Sequence, residues 1–146
     1  MTLKRTAPLA LAMALLALAG CASTGTTLLA TSSATVTAPA GVVLDEHANQ
    51  TTLKVVAGST IEVDLHSTYW PAPTSSAPDT VAPNGAPTTA PSPSCRPGGG
   101  CGTVTTHFTA RTPGTAHLTA TRTTCGEALN CPPDQRTYDV TVEVTG

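Results

Sequence analysis

From Tyr138 to Thr145 apolar and polar residues alternate without a break. Tyr138, Val140, Val142 and Val144 fall on one side, and Asp139, Thr141, Glu143 and Thr145 on the other. Successive side chains of an extended chain point to opposite faces, so this is the spacing of a strand with one dry and one wet face. The pattern recurs upstream. Leu53 and Val55 precede a turn at Gly58-Ser59, and Ile61, Val63 and Leu65 then alternate with Thr60, Glu62, Asp64 and His66. Val104, Thr106, Phe108 and Ala110 alternate with Thr105, His107 and Thr109. After a turn at Arg111-Thr112-Pro113-Gly114, Ala116, Leu118 and Ala120 alternate with His117, Thr119 and Thr121. Beyond Cys21 no window carries a convincing helical period.

Short strands separated by turn signals over residues 41–146 imply an all-β fold, an immunoglobulin-like antiparallel β-sandwich. The expected core is Leu53, Val55, Ile61, Val63, Leu65, Trp70, Val104, Phe108, Leu118, Tyr138, Val140 and Val142. Composition agrees: Thr occurs 29 times in 146 residues, while charged residues make up only 11 % and aromatics 3 %. Threonine and valine suit a pleated, half-buried surface. With so few large apolar groups the core is lean, and a lean core gains from cross-links. The formal charge of −2 argues against nucleic acid as a partner.

The first forty residues read differently. Lys4 and Arg5 precede an apolar run from Pro8 to Ala19. That run is too short to cross a hydrocarbon core of ~30 Å and has the flanks of a signal peptide. It closes on Leu18-Ala19-Gly20-Cys21, which resembles the bacterial lipobox. The resemblance implies cleavage of residues 1–20 and diacylglycerol on the Cys21 thiol; an ordinary secretory signal cut nearby is the alternative. Two or more acyl chains anchor a protein stably where one does not. The expected address is therefore the outer face of the plasma membrane, or the outer membrane in a Gram-negative host. Arg outnumbers Lys and Ile61 is the sole isoleucine, a composition that points to a GC-rich, actinobacterial source. Residues 21–40 hold no charge and no aromatic, and are expected to form a flexible tether with a reach of roughly 20–25 Å. A first strand through Leu28 and Leu29 is the alternative there.

Two features interrupt the sandwich pattern. Pro71 to Pro93 holds seven prolines among Ser, Thr and Ala, and is expected to be a long, disordered polar loop. Proline cannot donate to a ladder, so at most a short edge strand near Thr80-Val81 is compatible with it. The second feature is the cysteines. With Cys21 assigned to lipid, Cys95, Cys101, Cys125 and Cys131 remain as two pairs, each bracketing five residues. An even number in an exported chain implies two disulfides. Local pairing is favoured because the run Gly98-Gly99-Gly100 lets the first loop fold back. Crossed pairings stay open, and a Cys₄ zinc site is disfavoured by the spacing.

Catalytic chemistry has little support. There is no Gly-x-Ser-x-Gly elbow, the nine acids are scattered, and no phosphate loop or metal cluster appears, so no cofactor is expected. His107 and His117 would face each other across a direct hairpin, but an immunoglobulin topology puts their strands in different sheets. Glu127, in the second cysteine loop, is the one loop acid of interest.

Residues 51–146 resemble the chagasin family of cysteine-peptidase inhibitors. The likeness runs through Leu53-Lys54-Val55-Val56-Ala57-Gly58-Ser59-Thr60-Ile61-Glu62-Val63, the turn Gly98-Gly99-Gly100-Cys101-Gly102, Pro113-Gly114-Thr115-Ala116, Arg122 and the Val-rich last strand. It implies an immunoglobulin-like sandwich in which three loops at one end enter a peptidase cleft. The candidate loop residues are Ser67, Thr68, Tyr69 and Trp70; Gly98, Gly99 and Gly100; and Arg122 with Glu127. The family's first loop carries Asn-Pro-Thr-Thr-Gly, whereas this chain has His66-Ser67-Thr68-Tyr69-Trp70-Pro71; of the third loop's Arg-Pro-Trp only Arg122 matches. Trp70 suits either the buried Trp common in such sandwiches or an exposed binding platform, and core packing is the expectation. The sequence thus predicts a membrane-anchored, non-enzymatic binding or structural module of the cell envelope. Its partner would be a protein or a glycan, and the alternative is a chagasin-like peptidase inhibitor. A hydrolase would require a His, an acid and a Ser or Thr gathered in one pocket.

Overall fold

The computed structural model describes residues 39–146. The expected signal peptide, Cys21 and the expected tether up to residue 38 lie outside the described residues.

Eleven strands follow in chain order: β1 (Gly41–Leu44), β2 (Thr52–Val56), β3 (Thr60–Leu65), β4 (Thr74–Ser75), β5 (Val81–Pro83), β6 (Thr88–Pro91), β7 (Gly102–Ala110), β8 (Gly114–Thr121), β9 (Thr124–Gly126), β10 (Leu129–Asn130) and β11 (Thr137–Thr145). Two single 3-10 turns, Glu46–Ala48 and Pro133–Gln135, complete the set. One sheet has the order β1-β3-β7, with both β5 and β6 along the far side of β7; the other has the order β2-β11-β8-β4. β9 and β10 form a separate hairpin.

The alternating residues set the registers. Ile61 lies opposite Phe108 and Leu65 opposite Val104 in the first sheet. Tyr138 lies opposite Ala120, Val140 opposite Leu118 and Val142 opposite Ala116 in the second. These inner faces meet in one apolar cluster, where Val63, Leu65, Phe108, Leu118, Val140 and Val142 are wholly excluded from solvent. Trp70 is buried with them. Small residues that make a weak sequence signal, such as Ala110, Ala116 and Ala120, fill the space between the larger ones.

Three expectations need correction. The sandwich is mixed rather than wholly antiparallel, because β1 runs parallel to β3 and β2 parallel to β11. The chain alternates sheets here: β1 in the first, β2 in the second, β3 back in the first. A strand that returns by way of the opposite layer is free to run in the same direction. Leu53 is only partly buried, since β2 is the edge of its sheet and is covered from one side.

The proline-rich stretch is the third correction. It forms three short strands instead of a disordered loop: β4 pairs with β8, while β5, the expected edge strand, and β6 pair with β7. An edge strand needs ladder bonds on one side only, so a proline is tolerated where its missing N–H faces outward. Val81 and Ala82, buried in the core, and Pro73 hold the stretch to the body of the domain.

Candidate functional site

Antiparallel pairing of β3 with β7 sets Leu65 beside Val104, so residues 66–71 and 95–101 leave the sheet at the same end. Their contact is specific. The Thr68 N–H donates to the Gly100 carbonyl at 2.8 Å, and the Tyr69 hydroxyl donates to the Gly98 carbonyl at 2.5 Å. Ser67 is buried and braces the turn, its Oγ accepting from the Tyr69 N–H at 3.2 Å. The glycines are required. Gly100 has φ +66°, and a Cβ there would collide with the Tyr69 ring. Gly98 has φ +74°, and a Cβ there would come within 2.9 Å of the Glu127 carboxyl. Glu127 belongs to the third loop, so all three predicted loops converge.

Each cysteine loop is closed by its own disulfide, Cys95–Cys101 and Cys125–Cys131. The favoured local pairing is therefore present, and no thiol of the four remains for zinc. The second bond closes the β9–β10 hairpin, whose turn holds Ala128 at φ 56°. Leu129 stands beside that turn with 64 % of its surface exposed.

Arg122 links the third loop to the first. Its guanidinium carbon lies 4.0 Å from the centre of the Trp70 ring, and its Nε donates to the Gln135 carbonyl at 3.1 Å. Burial lowers the Arg122 pKa from its ordinary value, and the negative charge of Glu46 acts in the opposite sense. Of the two readings of Trp70, core packing is correct: the ring is buried and the cation lies over its face.

Glu46, on the first 3-10 turn, was not among the residues singled out from the sequence. Its Oε1 accepts from the His66 backbone N–H at 2.5 Å and its Oε2 faces His66 Nδ1 at 2.8 Å. The carboxylate holds the His66 pKa above its usual 6.5. The turn is capped by Asp45, whose carboxylate accepts from the His47 N–H at 2.9 Å and is thereby held below its usual pKa. The signal that could have found this turn is the Asp45-Glu46-His47 triplet, where a charged run ends β1 and an acid can cap.

Between this turn, the second 3-10 turn and the loops lies a cavity of about 260 Å³, lined by Glu46, Trp70, Arg122, Asp134, Thr137 and Tyr138 among others. Burial raises the Tyr138 pKa strongly.

The remaining histidines are dispersed. His107 Nδ1 is 3.7 Å from Glu62 on one sheet, and His117 Nδ1 is 2.9 Å from Asp139 on the other. Ser76 is close to His117, but its Oγ accepts from the backbone N–H at 2.8 Å. A nucleophile needs a base within reach of its hydroxyl, and here the Ser76 Oγ meets the His117 backbone while the imidazole pairs with Asp139.

No family model matches this chain, and no curated protein matches it. Solved structures do. The cysteine protease inhibitor EhICP2 from Entamoeba histolytica superposes with a TM-score of 0.53 at 16 % identity, covering 73 % of this chain and 97 % of that one. The solution structure of amebosin superposes with a TM-score of 0.50 at 18 % identity, covering 72 % and 98 %. At this identity the likeness establishes the shared sandwich fold.

Proposed function

We propose that this protein is a non-enzymatic binding module that engages a papain-type cysteine peptidase with the loop end of its sandwich. The observation that carries the reading is the convergence of residues 66–71, 95–101 and 122–131 into one braced surface. Binding costs fall when loops are ordered before the partner arrives. Two disulfides and the Tyr69–Gly98 bond order these loops in advance. The sandwich likeness to a cysteine protease inhibitor supports the same partner class. Glu127 and Leu129 are the exposed residues at the tip of the third loop.

The test is an inhibition titration of papain with the oxidised protein. Saturable inhibition is expected, and its absence at micromolar protein ends the peptidase reading. The departures in the first and third loop motifs favour a second reading, in which the same surface binds another envelope protein or a glycan. Pull-down from envelope extracts with wild-type protein and with loop-deleted variants separates the two.

We further propose that lipid on Cys21 holds the module at the outer face of the membrane. Intact mass of the protein from native membranes should show diacylglyceryl on Cys21, lost in Cys21→Ala. An unmodified N-terminus elsewhere in residues 15–30 would overturn this.

A further inference from the structure

We propose that Thr88 and Thr89, on the outer strand β6, are acceptors for O-linked hexose. The inference rests on the export of the chain proposed above and is independent of the peptidase reading.

From Pro83 to Ser94 the chain uses only Pro, Thr, Ser, Ala, Asn and Gly, and no charge occurs from residue 80 to residue 95. Such a composition cannot build a core, and Ser and Thr among prolines are the composition of O-glycosylated segments. The fold adds what composition leaves open. Every residue from 83 to 91 is exposed. β6 pairs with β7 through its backbone, Thr88 opposite Thr105 and Pro91 opposite Gly102, yet none of its four residues is buried. Thr88 and Thr89 are neighbours on a strand and so point to opposite faces of the sheet, and both faces are open there. The prolines at 87 and 91 flank them and keep the chain extended.

Nearby hydroxyls are engaged within the protein. Ser92 and Ser94 share a bond at 3.1 Å, Thr105 donates to Asp64 at 2.6 Å, and Thr112 donates to the Asp79 carbonyl at 2.9 Å. Thr88 and Thr89 instead turn exposed side chains to solvent. The chain has one sequence of the N-linked type, Asn49-Gln50-Thr51. The fold closes it, because Asn49 Nδ2 donates to the Thr137 carbonyl at 3.0 Å and Oδ1 accepts from the Asp139 N–H at 2.8 Å.

The co-reactant is a hexose carried on an isoprenoid phosphate, an activated sugar held in the membrane that an exported chain crosses. The threonine oxygen bonds to the anomeric carbon, and the bond from that carbon to the phosphate oxygen breaks. The isoprenoid phosphate leaves, and the hydroxyl proton passes to a base of the transferase. The sugar would cover a sheet edge that carries no charge, and an uncovered edge of that kind invites pairing with another chain.

Peptide mapping of the protein from native membranes, with electron-transfer fragmentation, should place hexose on Thr88 and Thr89. The Thr88→Ala/Thr89→Ala double variant, expressed in the same host, should lose that mass and keep the same disulfide map, which reports that it still folds. A processed chain whose residues 83–94 carry no sugar would overturn the site alone. Hexose confined to residues before 39, or retained in full on Ser92 or Ser94 in the double variant, would overturn it as well. A chain that keeps residues 1–20 and carries no sugar would overturn the export reading and the site together.

Discussion

The Arg122 guanidinium covers the face of Trp70 at 4.0 Å, and so ties the segment after β8 to the segment after β3. These segments belong to different sheets, and the contact closes one side of the loop end. A cation over an aromatic face contributes about 0.5–2 kcal/mol, depending on how far the pair is desolvated. Arg122→Ala should cost about 1 kcal/mol of stability in urea denaturation. It should also shift the fluorescence of the lone Trp70 to the red, because water replaces the guanidinium. An unchanged spectrum would mean that the stacking does not persist in solution.

Gly100 and Tyr69 form the second brace. Gly100→Ala puts a methyl group into the Tyr69 ring and strains a backbone at φ +66°, so both the loop contact and the Tyr69–Gly98 bond should be lost. Backbone strain and displaced packing of this kind cost about 1–3 kcal/mol. Tyr69→Phe removes only the hydroxyl and should cost about 1 kcal/mol or less. Thermal unfolding of the two variants should rank them in that order. Papain inhibition should fall further in Gly100→Ala, whose whole loop is displaced.

Reduction tests the staples. Each local ring contributes about 2–2.5 kcal/mol in the chain-entropy model. Dithiothreitol should therefore lower the urea midpoint markedly while far-ultraviolet circular dichroism still shows strands. Peptide mapping without reduction should return Cys95 linked to Cys101 and Cys125 linked to Cys131; crossed peptides would contradict the local rings.

The Glu46–His66 clasp predicts a pH dependence. Glu46 raises the folded-state pKa of His66 above 6.5, so folding favours the protonated ring. The clasp's contribution is fully present below pH 6.5 and is lost as pH rises through the higher folded value. Unfolding midpoints measured across this window should decline in wild type and stay flatter in Glu46→Gln. A His66 ring resonance titrating at or below 6.5 would refute the assignment. The side chain is largely exposed, so solvent screening keeps the effect small.

Phe108 tests the core. It is fully buried opposite Ile61, and Phe108→Ala should cost about 3–5 kcal/mol. In so lean a core that is enough to threaten folding. Phe108→Leu, measured by urea denaturation, should retain the fold at a smaller cost.

What could be read from the order of residues was whatever repeats locally. A period of two assigns Ile61, Val63, Phe108, Val140 and Val142 to one face whatever lies across from them, and in the structure that face is buried. Local cysteine pairing was favoured for the same reason, since each pair brackets five residues and the first loop holds a glycine run, while the choice against crossed pairing came from the structure. The separation of His107 from His117 followed once two sheets were inferred.

Tertiary structure decided the pairings between distant segments. Thr74–Ser75, Val81–Pro83 and Thr88–Pro91 are strands because β7 and β8 offer free edges, a fact absent from the proline-rich stretch itself. The Glu46–His66 clasp, the Arg122–Trp70 stack and the placing of Glu127 against Gly98 depend on where whole strands begin and end relative to one another. Side-chain periodicity reports which way a residue faces. It carries no information about which distant residue it will meet there, because that is set by register and by the path of the connections between layers.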